Sequence, residues 1–98
     1  MIFLYFISLT LHARTDCSYV RVKHIQVQEV NAIALFTDND GSSWWKVILL
    51  HDSANAASFQ SVIQQAVATN EPVMIRYESD NYNCNKDDYT IFPTAIRL

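Results

Sequence analysis

The chain has 98 residues, half of them hydrophobic, with one glycine, two cysteines and a net charge of −3. That length allows a single domain. With 7 basic against 10 acidic side chains and no basic run, the sequence disfavours nucleic acid and anionic membrane surfaces, both of which call for clustered Lys and Arg.

Met1 to Leu11 is almost wholly apolar. The run is too short to span a bilayer and suits the core of a signal peptide, with Ala13 just before the cut. Residues 1–13 are therefore expected to be an export signal and residues 14–98 the mature domain. The competing reading makes Ile2 to Leu11 a first core strand. A domain of this size buries only about 60% of its unfolded surface and needs a staple or a partner. Cys17 and Cys84 supply the staple, because an even cysteine count in a small exported domain reads as a disulfide. The expected location is secreted or periplasmic.

Ser18 to Val30 reads as a long first strand. Val20 and Val22 share one phase and Ile25 and Val27 the other, so the alternation slips by one residue near Lys23 and His24, as at a β-bulge. Ala32 to Thr37 is apolar on both faces and predicts a buried second strand. Asp38 to Ser43 is a turn in which Gly41 takes a positive φ. Trp44 to Leu50 is the third strand.

Phe59, Val62, Ile63, Ala66 and Val67 then recur at i, i+3, i+4, i+7 and i+8, one face of a helix. Ser53, Asn55 and Ser58 are possible N-caps. Asn70 tolerates left-handed geometry and Pro72 prevents continuation. Val73 to Tyr77 is the fourth strand, Glu78 to Asp88 a loop, and Tyr89 to Leu98 a fifth strand interrupted by Pro93. Three strands, a helix and two strands is the order of a five-stranded OB-type barrel. The expected fold is mainly β, an OB-type barrel with one helix between strands three and four.

The chemistry of reaction is sparse. His24 and His51 sit in no motif that would hold a base against a nucleophile, so a small hydrolase ranks last and no catalytic residue is expected. Two cysteines and two histidines without close spacing make no zinc site. The oxygen-rich run DNYNCNKDD lacks the glycine and glutamate of an EF-hand loop. No metal or cofactor is expected.

Binding is better served. Tyr19, Trp44, Trp45, Tyr77, Tyr82 and Tyr89 offer rings of the kind that pack on the apolar face of a sugar. Trp44 and Trp45 face opposite sides of a strand, so one is core and the other an interface or ligand residue. The helix carries Gln60, Ser61, Gln64, Gln65 and Thr69 on its polar side without a charge, a face suited to another chain in a wet interface or to solvent.

Ala57-Ser58-Phe59, Gln65-Ala66, Pro72-Val73 and Ile75-Arg76-Tyr77, with Cys17-Ser18-Tyr19-Val20, resemble the pentameric B subunits of AB5 toxins of the subtilase cytotoxin and typhoid (pertussis-like) type. The resemblance implies an OB-fold protomer in a five-membered ring, a host-cell sialoglycan as ligand and a separate catalytic A subunit as partner. It implies glycan-binding roles for Ser18, as a hydrogen-bonding residue, and Tyr77, as an aromatic near the pocket. The chain differs from those relatives in lacking their disulfide between strands two and three and their C-terminal extension. The first reading is thus a non-enzymatic, ring-forming glycan-binding protein. The alternative is a secreted protein-interaction module, an inhibitor or accessory subunit.

Overall fold

The computed structural model describes residues 14–98. The expected export segment, residues 1–13, lies outside them.

Strand β1, Thr15–Tyr19, alternates strictly: Cys17 and Tyr19 point into the core, Asp16 and Ser18 outward. Val20 interrupts the chain, and its N–H donates to Thr37 O at 2.9 Å. Strand β2, Arg21–Val27, follows, and its register against β3 shifts between Val22 and His24, where the hydrophobic phase slips. The long first strand is therefore two strands, one of them bulged. Strand β3, Asn31–Thr37, is buried on nearly every residue because β2 and β4 flank it. Gly41 holds φ +87° in the turn to β4, Ser43–Leu50.

Helix α1, Ala56–Thr69, buries Phe59, Ile63 and Ala66, three of the five residues of its apolar stripe; Val67 remains 39% exposed. Asn55 is the N-cap residue but caps nothing with its side chain; its Oδ1 lies 3.0 Å from Ser53 Oγ instead. At the other end Asn70 takes φ 59°, ψ 36° and its N–H donates to Ala66 O. Strands β5, Val73–Tyr77, and β6, Ala95–Arg97, complete the fold.

The strands form two antiparallel three-stranded sheets, in the orders β1-β5-β6 and β2-β3-β4. This corrects the expected five-stranded OB barrel, since the sheets do not close into one. The physical reason lies in the last segment. Of Tyr89 to Leu98 only Ala95–Arg97 pairs, and with β5 alone. Pro93 has no N–H to give, and Thr94 N–H goes to Arg76 O. The chain that would close the ring meets β4 at one isolated bridge, Lys46 with Asp88.

One core nonetheless serves both sheets. Tyr19, Val22, Phe36, Ile48, Ile63, Ile75 and Tyr77 share it, and α1 packs on β2, β4 and β6, spanning the gap between sheets. The Tyr19 ring lies on Phe36 at 4.9 Å and near Trp44 at 6.3 Å. Cys17 and Cys84 form the expected disulfide, with Cα atoms 5.5 Å apart. Tyr19 Oη donates to Cys84 O at 2.7 Å, so the first strand grips the late loop twice.

No helix among the described residues is long and apolar enough to cross a membrane.

Candidate functional site

Ser18 and Tyr77 are placed on opposite faces of sheet β1-β5-β6. Ser18 pairs with Met74 and faces outward, whereas Tyr77 pairs with Thr15 and is fully buried, with no exposed surface for a ligand. The pair predicted to share one sugar is therefore not brought together.

Ser18 has different neighbours. Antiparallel register puts Ser18, Met74 and Arg97 in one row across the three strands, and Asp16, Arg76 and Ala95 in the next. All six point outward, because residues directly opposite and two apart share a face. Arg76 Nε donates to Asp16 at 2.9 Å. That hydrogen bond, then the charges of Arg76, Arg14 and Arg97, hold the Asp16 carboxyl below its ordinary range against the opposing effect of desolvation. Three guanidiniums thus act on one carboxylate, in a chain whose net charge is negative. Glu78, just past β5, also acts on Arg76. Arg14 and Arg97 have no ion-pair partner among the described residues. A shallow groove of about 100 Å³ runs between Met74, Arg76, Ala95 and Arg97. The sequence carries no basic run; β-pairing assembles these cations from three distant segments.

Tyr77 belongs to a second constellation, at the 78–91 loop. Its ring lies on Tyr82 with centroids 3.7 Å apart and planes 12° from parallel, and its hydroxyl is buried without a hydrogen-bond partner among the described residues. Burial pushes the phenol up to about 12. Beside it Lys46 is fully buried on β4. Its Nζ donates to Tyr82 Oη at 3.0 Å and to Asn83 O at 3.1 Å. Burial pushes the ammonium down to about 8, against the opposing pull of Asp88 and Asp87. Tyr82 Oη donates onward to Asp88 at 2.8 Å, and the other carboxylate oxygen accepts from Thr90 N and Thr90 Oγ1. Asp88 N–H donates to Trp45 O, Val47 N–H donates to Asp88 O, and Asp87 accepts from Trp45 N. The loop is stitched along the β4 edge, and above it opens a cleft of about 350 Å³ lined by Ser79, Asn81, Tyr82, Asn83, Lys86, Asp88, Thr90 and Ile91.

The remaining sequence candidates are elsewhere. Trp44 packs against the core and Trp45 is half-buried on the other face of β4. His24 is exposed on β2, and His51 Nε2 lies 2.7 Å from Gln28 O. Sequence reasoning misses Lys46 and Tyr82 as a pair; the one signal available is Lys46 falling in phase with Trp44 on a core strand. Compared with protein-family models, curated proteins and solved structures, the chain matches none, and nothing in those comparisons identifies a toxin B subunit.

Proposed function

We propose that this protein is a non-catalytic, exported recognition domain for acidic glycans, and that it binds them on the outer face of sheet β1-β5-β6. The observation that carries the reading is the convergence of Arg14, Arg76 and Arg97 around Asp16, in the rows that also hold Ser18. Neighbouring strands lie about 4.8 Å apart, so Ser18 and Arg97 flank Met74 at roughly 10 Å, backbone to backbone. A sugar carboxylate engaged by the Arg97 fork leaves the ring within reach of the Ser18 hydroxyl, with the Met74 side chain beneath its apolar side. Arginine suits this task because its planar fork pairs both carboxylate oxygens. Export agrees with the disulfide, a bond of oxidising compartments.

The test is a glycan array and titration with sialylated and desialylated versions of the same oligosaccharide. Ser18→Ala and Arg97→Gln should each weaken sialoglycan binding by tenfold or more without altering the melting temperature. Equal binding of the acidic and neutral forms, or undiminished binding by both variants, removes the proposal.

A protein-interaction module is the second reading. It is favoured by exposed Val27, Val30 and Leu50 at the far end of the other sheet, beside a shallow pocket lined by Glu29, Val30 and Leu50. A stoichiometric protein partner lost on Val30→Lys, with no glycan signal, supports it instead.

A further inference from the structure

We infer that the cleft over the 78–91 loop is a second binding site, separate from the arginine face, and that it takes an uncharged polyhydroxylated ligand the size of one sugar ring.

At about 350 Å³ the cleft sits at the small end of the range in which ligand pockets fall, with room for a sugar ring.

Asp88 lines the cleft, but its oxygens already accept from Tyr82 Oη, Thr90 N and Thr90 Oγ1, so it offers a cation little. The Lys46 ammonium is sealed beneath, with hydrogen bonds to Tyr82 and Asn83. Besides the Asp88 carboxylate, the lining carries one charged side chain, Lys86, and it is exposed. What faces a ligand is neutral: the side-chain N–H groups of Asn81 and Asn83, whose amide oxygens already accept from Ser79 Oγ and Asn85 N, the hydroxyl oxygens of Ser79 and Thr90, whose protons go to Asn81 and Asp88, and the apolar side of Ile91. Amides and hydroxyls both donate and accept, as sugar hydroxyls do.

A flat aromatic ligand fits less well. The Tyr82 ring is stacked on Tyr77 at 3.7 Å and has Lys46 Nζ 4.6 Å from its centroid, so it is not a free platform for a base.

The buried lysine is the independent sign that this wall is built rather than incidental. A hydrophobic side chain would fill the same place on β4 at lower desolvation cost. Lys46 instead fixes the Tyr82 hydroxyl and the Asn83 backbone, while the disulfide at Cys84 and the Tyr19 bond to Cys84 O fix the residue that follows. Holding a polar wall rigid before the ligand arrives lowers the entropy lost on binding.

The experiment is an amide-resolved NMR titration of the full mature chain with D-galactose, D-glucose and N-acetyl-D-glucosamine, and in parallel with inorganic phosphate and adenosine. The expected result is saturable shifts confined to residues 79–91 for at least one sugar and none for phosphate or adenosine. The double variant Ser79→Ala/Asn81→Ala, both outside the core, should weaken that binding about tenfold, or about 1.4 kcal/mol, while Arg97→Gln leaves it unchanged. Absence of shifts at 79–91 with every sugar overturns the inference. So does a response to phosphate or adenosine instead, or an undiminished affinity in the double variant. Because Arg97→Gln disables only the outer face, failure at one site is distinguishable from failure at the other.

Discussion

Lys46 Nζ and Tyr82 Oη meet at 3.0 Å between a β-strand and a loop 36 residues further along the chain, and among the described residues no carboxylate touches the ammonium directly. Asp88 is reached only through the Tyr82 hydroxyl. The protein therefore buries a cation on a neutral partner. Most of the favourable Coulomb energy that a direct ion pair returns is absent, and the desolvation penalty stays.

A pH profile should reveal this. The folded-state pKa of Lys46 lies at about 8 against an ordinary 10.5, so between those values the unfolded chain binds the proton more strongly. Stability then rises with pH across that interval, by about 1–2 kcal/mol once solvent screening is allowed for. The tyrosines act with the opposite sign. Burial raises the phenols of Tyr19, Tyr77 and Tyr82 above their ordinary 10. Their contribution is complete below pH 10 and is lost above it, as the unfolded chain ionises first. Urea unfolding at stepped pH should show a maximum near pH 10. Lys46→Met should abolish the rise between pH 8 and 10, retain the fall above it, and leave stability at pH 7 equal or higher. A flat profile in the parent protein between pH 8 and 10 contradicts the account.

The disulfide makes a second, larger prediction. Cys17 and Cys84 are 67 residues apart in sequence, and a loop of that length restricts the unfolded chain by about 4 kcal/mol in the entropy model. That is most of the stability a domain this small has. Reduction, or the double change Cys17→Ala/Cys84→Ala, should lower the melting temperature by about 15 °C or more, at roughly 4–8 °C per kcal/mol. Calorimetry with and without reductant measures it. A shift of only a few degrees would mean that the unfolded chain keeps Cys17 and Cys84 close without the bond.

Much of this architecture is legible in the sequence, and the parts that are not share a cause. The bulge after Val22, the Ile63 face of α1, the left-handed Asn70 and the positive φ of Gly41 all follow from neighbours within a few residues. So do the bounds of β5. The disulfide follows from an even cysteine count in a domain too small to rely on its core alone. Barrel closure is not legible, because it depends on whether the chain around Pro93 pairs with a distant strand, and the register gives it to β5 alone. The arginine face is invisible for the same reason. Asp16, Arg76 and Arg97 become neighbours only once β1, β5 and β6 are ordered in space. Tyr77 takes a ligand role only from the toxin resemblance; as a strand-end tyrosine it reads first as a core residue, and the structure buries it, stacked on Tyr82.

Asp16 tests the acidic-glycan reading from the unfavourable side. Its carboxylate occupies Arg76, through Nε at 2.9 Å and Nη2 at 3.5 Å, and its negative charge, close enough to feel Arg97, opposes an anion approaching the Arg97 fork. Asp16→Asn should therefore raise affinity for a sialylated ligand, roughly two- to tenfold, and steepen the loss of affinity with added salt. The pair is solvent-exposed, so the melting temperature should stay as it is. Titration at two ionic strengths decides the matter. Reduced affinity would mean that Asp16 itself contacts the ligand.

The two left-handed positions separate backbone strain from packing. Asn70 holds φ 59° at the end of α1, where an L residue with a Cβ loses roughly 1–2 kcal/mol relative to glycine and asparagine loses less. Asn70→Gly should thus be neutral or slightly stabilising, and Asn70→Ala destabilising by about 1 kcal/mol. Gly41 holds φ +87°, and a Cβ added there meets no atom of the described residues within 4 Å apart from its own chain neighbours. Gly41→Ala should lose only the backbone contribution, again about 1 kcal/mol, and Gly41→Asn less than that. Chemical denaturation of the four variants gives the comparison directly. Alanine at 41 destabilising by several kcal/mol would require contacts in the Asp38–Ser43 turn that the open space beside Gly41 does not provide. Asn70→Gly destabilising by more than about 1 kcal/mol would mean that the asparagine side chain, not its backbone angle, ends the helix.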